Sequence, residues 1–182
     1  MKRLAILLTA ALAGGGAWAA SPYAGLEGRM IKSLSAEDIA ELKAGEGMGL
    51  ALAAELNGYP GPRHVLDLAD ELRLTEEQRA EVQALFDAMR NEAARIGDRL
   101  IAAEAALDRQ FAERTITPAR LDAATHSIGA LQADLRATHL RYHLVTRDIL
   151  LPEQLRRYSE LRGYAEAPAS MRHRHGGHSG AH

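Results

Sequence analysis

From Val82 onward, apolar residues return every three or four positions, at Phe86, Met89, Ala93, Ile96, Leu100, Ala103, Leu107 and Phe111. Steps that alternate between four and three keep one stripe of an α-helix apolar, whereas a β-strand, with its period of two, would scatter the same residues over both faces. If the helix opens at Thr75, the stripe extends about 55 Å at roughly 1.5 Å rise per residue. Thr115, Ile116, Thr117 and Pro118 break the pattern, and Thr117 followed by Pro118 restarts a helix as cap and first residue. A second stripe follows at Leu121, Ala124, Ile128, Leu131, Leu135, Thr138, Tyr142, Val145 and Ile149. A stripe of this length needs a cover of equal length, so the expectation is an all-α fold built on a long antiparallel helical hairpin with shorter N-terminal and C-terminal helices.

The entry to the first long helix reads Leu74, Thr75, Glu76, Glu77, Gln78. Thr75 can cap the helix while Gln78, three residues on, reaches back to the cap's own N–H, the reciprocal arrangement of a capping box. The end of the second stripe carries an echo: Leu150, Leu151, Pro152, Glu153, Gln154. Leu151 stands where a threonine would complete the motif, so the side-chain cap is missing, a loss of about 1 kcal/mol. Pro152 still suits a first helical position, because it lacks only an N–H that would be orphaned there.

Two LTxxQ-type motifs, centred on Leu74, Thr75 and Gln78 and on Leu150, Pro152 and Gln154, bracket the expected hairpin. With an export signal before them, they make the chain resemble the Spy/CpxP/ZraP group of periplasmic stress chaperones and their heavy-metal-sensor relatives, over roughly Leu66 to Tyr164. The resemblance implies a bent, dimeric helical protein that holds unfolded or envelope proteins weakly, over many contacts and without ATP. It equally implies a sensor or resistance protein for zinc, copper or nickel that signals to an inner-membrane partner. A third reading is a helical regulator of an envelope sensor kinase.

Lys2 and Arg3 precede an apolar run from Leu4 to Ala13, and Ala17, Trp18 and Ala19 place small residues where a signal peptidase reads them. Residues 1–19 are therefore read as a signal peptide cleaved after Ala19, with a periplasmic destination. The run falls short of the about 20 residues a membrane span requires. The chain has no cysteine, hence neither a lipid-anchor cysteine nor a disulfide. Removing Lys2 and Arg3 from the 22 basic residues leaves 20 against 24 acidic ones, a balance that does not favour nucleic acid as a partner. Lysine occurs only at positions 2, 32 and 43, so positive charge is carried by arginine, which suits both salt-bridged helix faces and contacts with protein clients.

Residues 20–34, with Pro22, Gly25 and Gly28, read as an extended N-terminal arm, and 35–164 as the helical domain. Ser35 caps an expected helix through Ile39, Leu42, Leu50, Ala53 and Leu56, weakened at Gly45, Gly47 and Gly49, or crossing a neighbour closely there. Asn57 to Pro62 is a stop, and His64 to Leu72 a short helix. Leu140 and Leu144 fall off the return stripe, which implies a second buried face against the N-terminal helices or another subunit; a homodimer is expected. Leu155, Tyr158 and Leu161 form a last short helix that ends at Gly163.

The tail, residues 165–182, holds His173, His175, His178 and His182 among glycines and polar residues. Imidazoles this dense can converge on zinc, copper(II) or nickel, with affinity falling toward acid pH; the same tail read as a plain polar terminus carries no site. His139 and His143 share a helix face at four-residue spacing, and pairing Phe111 with Leu121 sets Glu92 near them as a third ligand. His126 falls too far along the rod to join, and His64 reads as structural. No cysteine nucleophile, HExxH motif or strand-borne glycine-rich loop is present, so no enzyme and no required cofactor is expected.

Overall fold

A computed structural model describes residues 21–164. The export signal, the cleavage point after Ala19 and the tail histidines His173, His175, His178 and His182 lie outside the described residues. Within them the chain forms six α-helices and no strand: α1 Ala36–Ala44, α2 Leu52–Glu55, α3 Pro62–Asp67, α4 Glu76–Ala112, α5 Pro118–Ile149 and α6 Pro152–Leu161. None of these helices is long and apolar enough to cross a membrane.

Helices α4 and α5, of 37 and 32 residues, carry the two apolar stripes. Hydrogen bonds pair Gln78 with Ile149 and Glu92 with Thr138, so the start of one helix lies beside the end of the other. Thr117 caps α5, its hydroxyl accepting from the Arg120 N–H at 3.3 Å. Met89, Ala93, Ile96 and Leu100 of α4 are buried, as are Ile128, Leu131 and Leu135 of α5. Toward the connection between the helices, Phe111 and Leu121 are exposed. Val145 is also exposed although it falls on the return stripe, whereas His139, His143 and Thr146 beside it are buried. The buried face of α5 turns there to meet the N-terminal segment.

That segment crosses the open half of the long helices. Ser35 and Asp38 cap α1 reciprocally, at 3.0 Å and 2.7 Å. Helix α1 then stops at Gly45, which adopts φ 68, and the single helix expected through Leu56 is replaced by turns before the four-residue α2. Close approach explains the glycines. A Cβ on Gly97 of α4 would collide with the Leu42 carbonyl of α1, and one on Gly45 with the Arg90 carbonyl of α4. The Arg90 Nε also donates to the Ala44 carbonyl at 3.1 Å, fixing the end of α1 to α4.

Residues 21–34 are not extended. They form turns with a 3-10 turn at Leu26–Gly28 and an isolated bridge between Ile31 and Leu34. Ile31 is buried, the Lys32 N–H donates to Asp108 at 3.3 Å, and the Ser33 hydroxyl donates to Glu104 at 2.8 Å, so the segment docks on its own α4.

Two apolar clusters hold the molecule together. One joins Leu42 to Ala93, Ile96, Leu131 and Leu135; the other gathers Val65, Leu72, Leu74, Val82, Leu150 and Tyr158 where α3 and α6 close the end of the long pair.

Candidate functional site

The two motifs meet. Gln78 Nε2 donates to Gln154 Oε1 at 2.9 Å, and Gln154 Nε2 donates to Gln78 Oε1 at 3.0 Å. Each Oε1 also accepts from the backbone N–H of its own cap, Thr75 at 3.1 Å and Leu151 at 2.9 Å. Each Nε2 donates in addition to a carbonyl just ahead of the other motif: Gln78 to Ile149 at 2.9 Å and Gln154 to Leu72 at 3.2 Å. Both amides thus use their donors and acceptors fully, which is what burying such a pair requires. The Thr75 hydroxyl completes the first capping box, accepting from Gln78 N–H at 3.1 Å. Leu151 has no side-chain acceptor, so only the Gln154 half of the second box forms.

Behind this clasp, Glu55 lies 5 % exposed at the end of α2. Its carboxylate accepts hydrogen bonds from the Tyr158 hydroxyl, the Tyr164 hydroxyl at 3.3 Å and the Gly61 N–H at 3.1 Å. Arg162 Nε at 3.7 Å, His64 Nδ1 at 3.4 Å and His143 Nδ1 at 3.8 Å surround it. His64 lies within ion-pair reach but is not aligned for a hydrogen bond. Burial alone would raise the Glu55 pKa; His64 and the Tyr158 hydroxyl outweigh it and hold the group down to about 2. Burial and the Glu55 charge push the Tyr158 hydroxyl the other way, well above its usual range.

Between this network and α4 is a cavity of about 240 Å³, lined by Met48, Phe86, Met89, His139 and His143 among others. His139 is 2 % exposed, and its Nε2 has no hydrogen-bond partner. Its pKa is lowered, by burial first and then by the neighbouring His143, so the ring is held neutral. His143 Nδ1 contacts the Tyr59 carbonyl at 2.7 Å. A carbonyl only accepts, so His143 Nδ1 carries a proton and donates it to Tyr59.

The structure brings His139 and His143 together and leaves Glu92 apart. Glu92 accepts from Thr138 at 3.1 Å, Arg141 at 3.2 Å and Tyr142 at 3.3 Å. These bonds, led by the one from Thr138, hold its pKa down against burial. The pairing register placed Glu92 at the right height on α4 but not on the right side, because the histidines turn under the N-terminal segment. Among the described residues no group of three or more histidines and carboxylates is arranged to hold a metal ion. His126 is remote, its Nδ1 on the Asp122 carbonyl at 3.0 Å. His64 sits in the Glu55 network. Glu55, Tyr158, Met48 and Met89 carried no local signal for a site in the sequence; they meet only through the fold.

A family model described as LTXXQ motif family protein matches residues 62–162. The chain belongs to the LTXXQ motif family, which includes Spy/CpxP/ZraP-like proteins. The match opens at Pro62, the first residue of α3, and runs through both glutamines to the end of α6. The cavity lies partly outside it, since Met48 and Glu55 come from the segment that precedes the matched region. No curated protein and no solved structure matches the chain.

Proposed function

We propose that this LTXXQ family member is an exported periplasmic stress protein that holds unfolded polypeptides without ATP. The supporting observation is a row on α5 where Arg141, Leu144, Val145 and Arg147 are all exposed within two helical turns. Aliphatic side chains left in water beside guanidinium groups suit weak, sequence-tolerant contact with unfolded chain, which presents apolar side chains and carboxylates together. Family membership and the export signal read from residues 1–19 support the location. The test is suppression of aggregation of an unrelated denatured protein in metal-free buffer, with Leu144→Ser/Val145→Ser as the variant. Protection lost at unchanged molecular mass supports the reading; protection unaltered overturns it. The family resemblance also supports a homodimer, and a fall in mass in the same variant would assign the row to a subunit interface instead.

A second reading, a periplasmic metal sensor or resistance protein, is favoured by the buried, unpartnered Nε2 of His139 beside His143. Zinc, copper and nickel remain the candidate ions for that pair and for the tail histidines. Calorimetric titration of the mature chain against His139→Ala/His143→Ala and a chain lacking the four tail histidines tests it. Binding that depends on either set supports the reading, and none tighter than about 100 μM overturns it.

A further inference from the structure

The backbone gives no reason for a glycine at position 47. Its φ is not left-handed, and a Cβ there would meet only His139 Nδ1, at 3.9 Å. Gly45 and Gly61 differ, since a Cβ at either would strike the Arg90 carbonyl or the His143 ring. Gly47 lines the cavity of about 240 Å³ between the turns of the N-terminal segment and the long helices, so its missing side chain leaves room there. Ala51, Pro62 and Met89 give that space a buried apolar wall, and the exposed Met48 and Leu52 extend it toward solvent. An apolar cavity of about 150 Å³ is already large enough to take up benzene. Phe86 on the same wall, with the two methionines, favours an aromatic body over an alkyl one.

The charged groups lining the cavity balance. Two carboxylates, Glu46 and Glu55, stand against two guanidinium groups, Arg63 and Arg90. Glu46 pairs with Arg63 at 2.8 Å, and Arg90 donates to the Ala44 carbonyl. Glu55 accepts from Tyr158, Tyr164 and Gly61, with Arg162 at 3.7 Å. A ligand carrying net charge would lose its hydration here and find no counter-charge left over. A neutral ligand incurs no such cost.

Three imidazoles complete the wall, and only that of His143 has its hydrogen bond, to the Tyr59 carbonyl at 2.7 Å. His64 Nδ1, 3.4 Å from Glu55, and His139 Nε2 are covered and have no hydrogen-bond partner. Covered polar atoms left in this state are uncommon in folded proteins. A hydroxyl group both donates and accepts, so it matches a ring nitrogen in either tautomer.

We propose that this cavity binds a small neutral aromatic alcohol, a ligand independent of both readings above. The test is an NMR titration of the mature protein, in buffer containing EDTA, with benzyl alcohol, toluene, benzoate and benzylamine as probes. The methyl resonances of Met48 and Met89 report on the cavity, and that of Met30, 87 % exposed, is the control. Benzyl alcohol should bind at one site with Kd below about 1 mM, shifting Met48 and Met89 but not Met30. Benzoate and benzylamine should bind at least about tenfold more weakly, and toluene about threefold more weakly. Gly47→Leu fills the space and should abolish binding. Should that variant fail to fold, Leu52→Ser removes an exposed part of the wall and should weaken binding about threefold at unchanged Tm. The site is overturned by binding no tighter than about 1 mM, by equal shifts at Met30, or by full affinity in a folded Gly47→Leu or, failing that, in Leu52→Ser. Equal affinity for either charged probe overturns the neutral class, and equal affinity for toluene overturns the hydroxyl.

Discussion

Gln78 and Gln154, 76 residues apart, exchange side-chain amide hydrogen bonds in both directions. Each also holds the backbone of its own helix cap and a carbonyl beside the other's motif, so the pair ties the starts of α4 and α6 to each other. Gln154→Ala leaves the Leu151 N–H, the Leu72 carbonyl and half of the Gln78 amide short of partners inside the protein. We expect a loss of about 2–3 kcal/mol in urea unfolding. Gln78→Ala should cost less than Gln154→Ala, because its surroundings are wetter. The double variant should fall short of the sum of the singles by about 1 kcal/mol. Strict additivity would show that the two amides are not an energetic unit.

Leu151 offers a gain at the same place. Its backbone already has cap geometry, φ −70 and ψ 154, and its side chain is 51 % exposed. Leu151→Thr supplies the hydroxyl acceptor that Thr75 supplies in the first motif and sacrifices little burial. It should stabilise the protein by about 1 kcal/mol and raise Tm by about 2–4 °C. No change in Tm would mean that the Gln154 clasp already satisfies this helix start.

These motifs also show what a sequence can carry. The α-helical class and the buried row Met89, Ala93, Ile96 and Leu100 follow from periodicity, which is a local property. The Thr75–Gln78 capping box and the missing side-chain cap at Leu151 were legible for the same reason. The clasp was not, since a bond between Gln78 and Gln154 leaves no trace at any short spacing. Nor was the direction in which His139 and His143 face. Their four-residue spacing fixes a shared helix face, but the cover on that face comes from Gly45 to Gly61, a stretch of turns with no period. Glu92 was placed by register alone, and register fixes height along a helix pair without fixing side. Val145 failed because the buried face of α5 there is made of histidine and threonine, which an apolar count passes over.

Gly97 and Gly129 separate close packing from helix propensity. A methyl group on Gly97 meets the Leu42 carbonyl, whereas one on Gly129 meets nothing within 4 Å. Gly129→Ala, within α5, should therefore stabilise by about 1 kcal/mol through propensity. Gly97→Ala should destabilise by about 1–3 kcal/mol despite the same propensity gain, because α1 has to move off α4. Limited proteolysis between Gly45 and Gly61 should speed up in the second variant only. Equal behaviour of the two would mean that the α1 crossing is loose.

Acid should weaken the fold in two stages, the first linked to His139 and the second to Glu55 together with Glu92 and Asp38, whose carboxyls are also held below their usual values. His139 is held neutral, its pKa lowered from 6.5 by burial and by His143. The unfolded chain therefore takes up protons more readily than the folded one below that value. The stabilisation linked to His139 is complete above 6.5 and declines as the pH falls beneath it. Glu55 is depressed from 4.5 to about 2. Its contribution is complete above 4.5 and is lost as the pH falls from there toward 2. Urea midpoints measured from pH 8 to pH 2.5 should drop first just below 6.5 and again below 4.5. His139→Leu should remove the first drop and leave the second, while Glu55→Gln should leave the first and shrink the second. A His139→Leu profile that still falls between pH 6.5 and 5 would place the titrating group elsewhere.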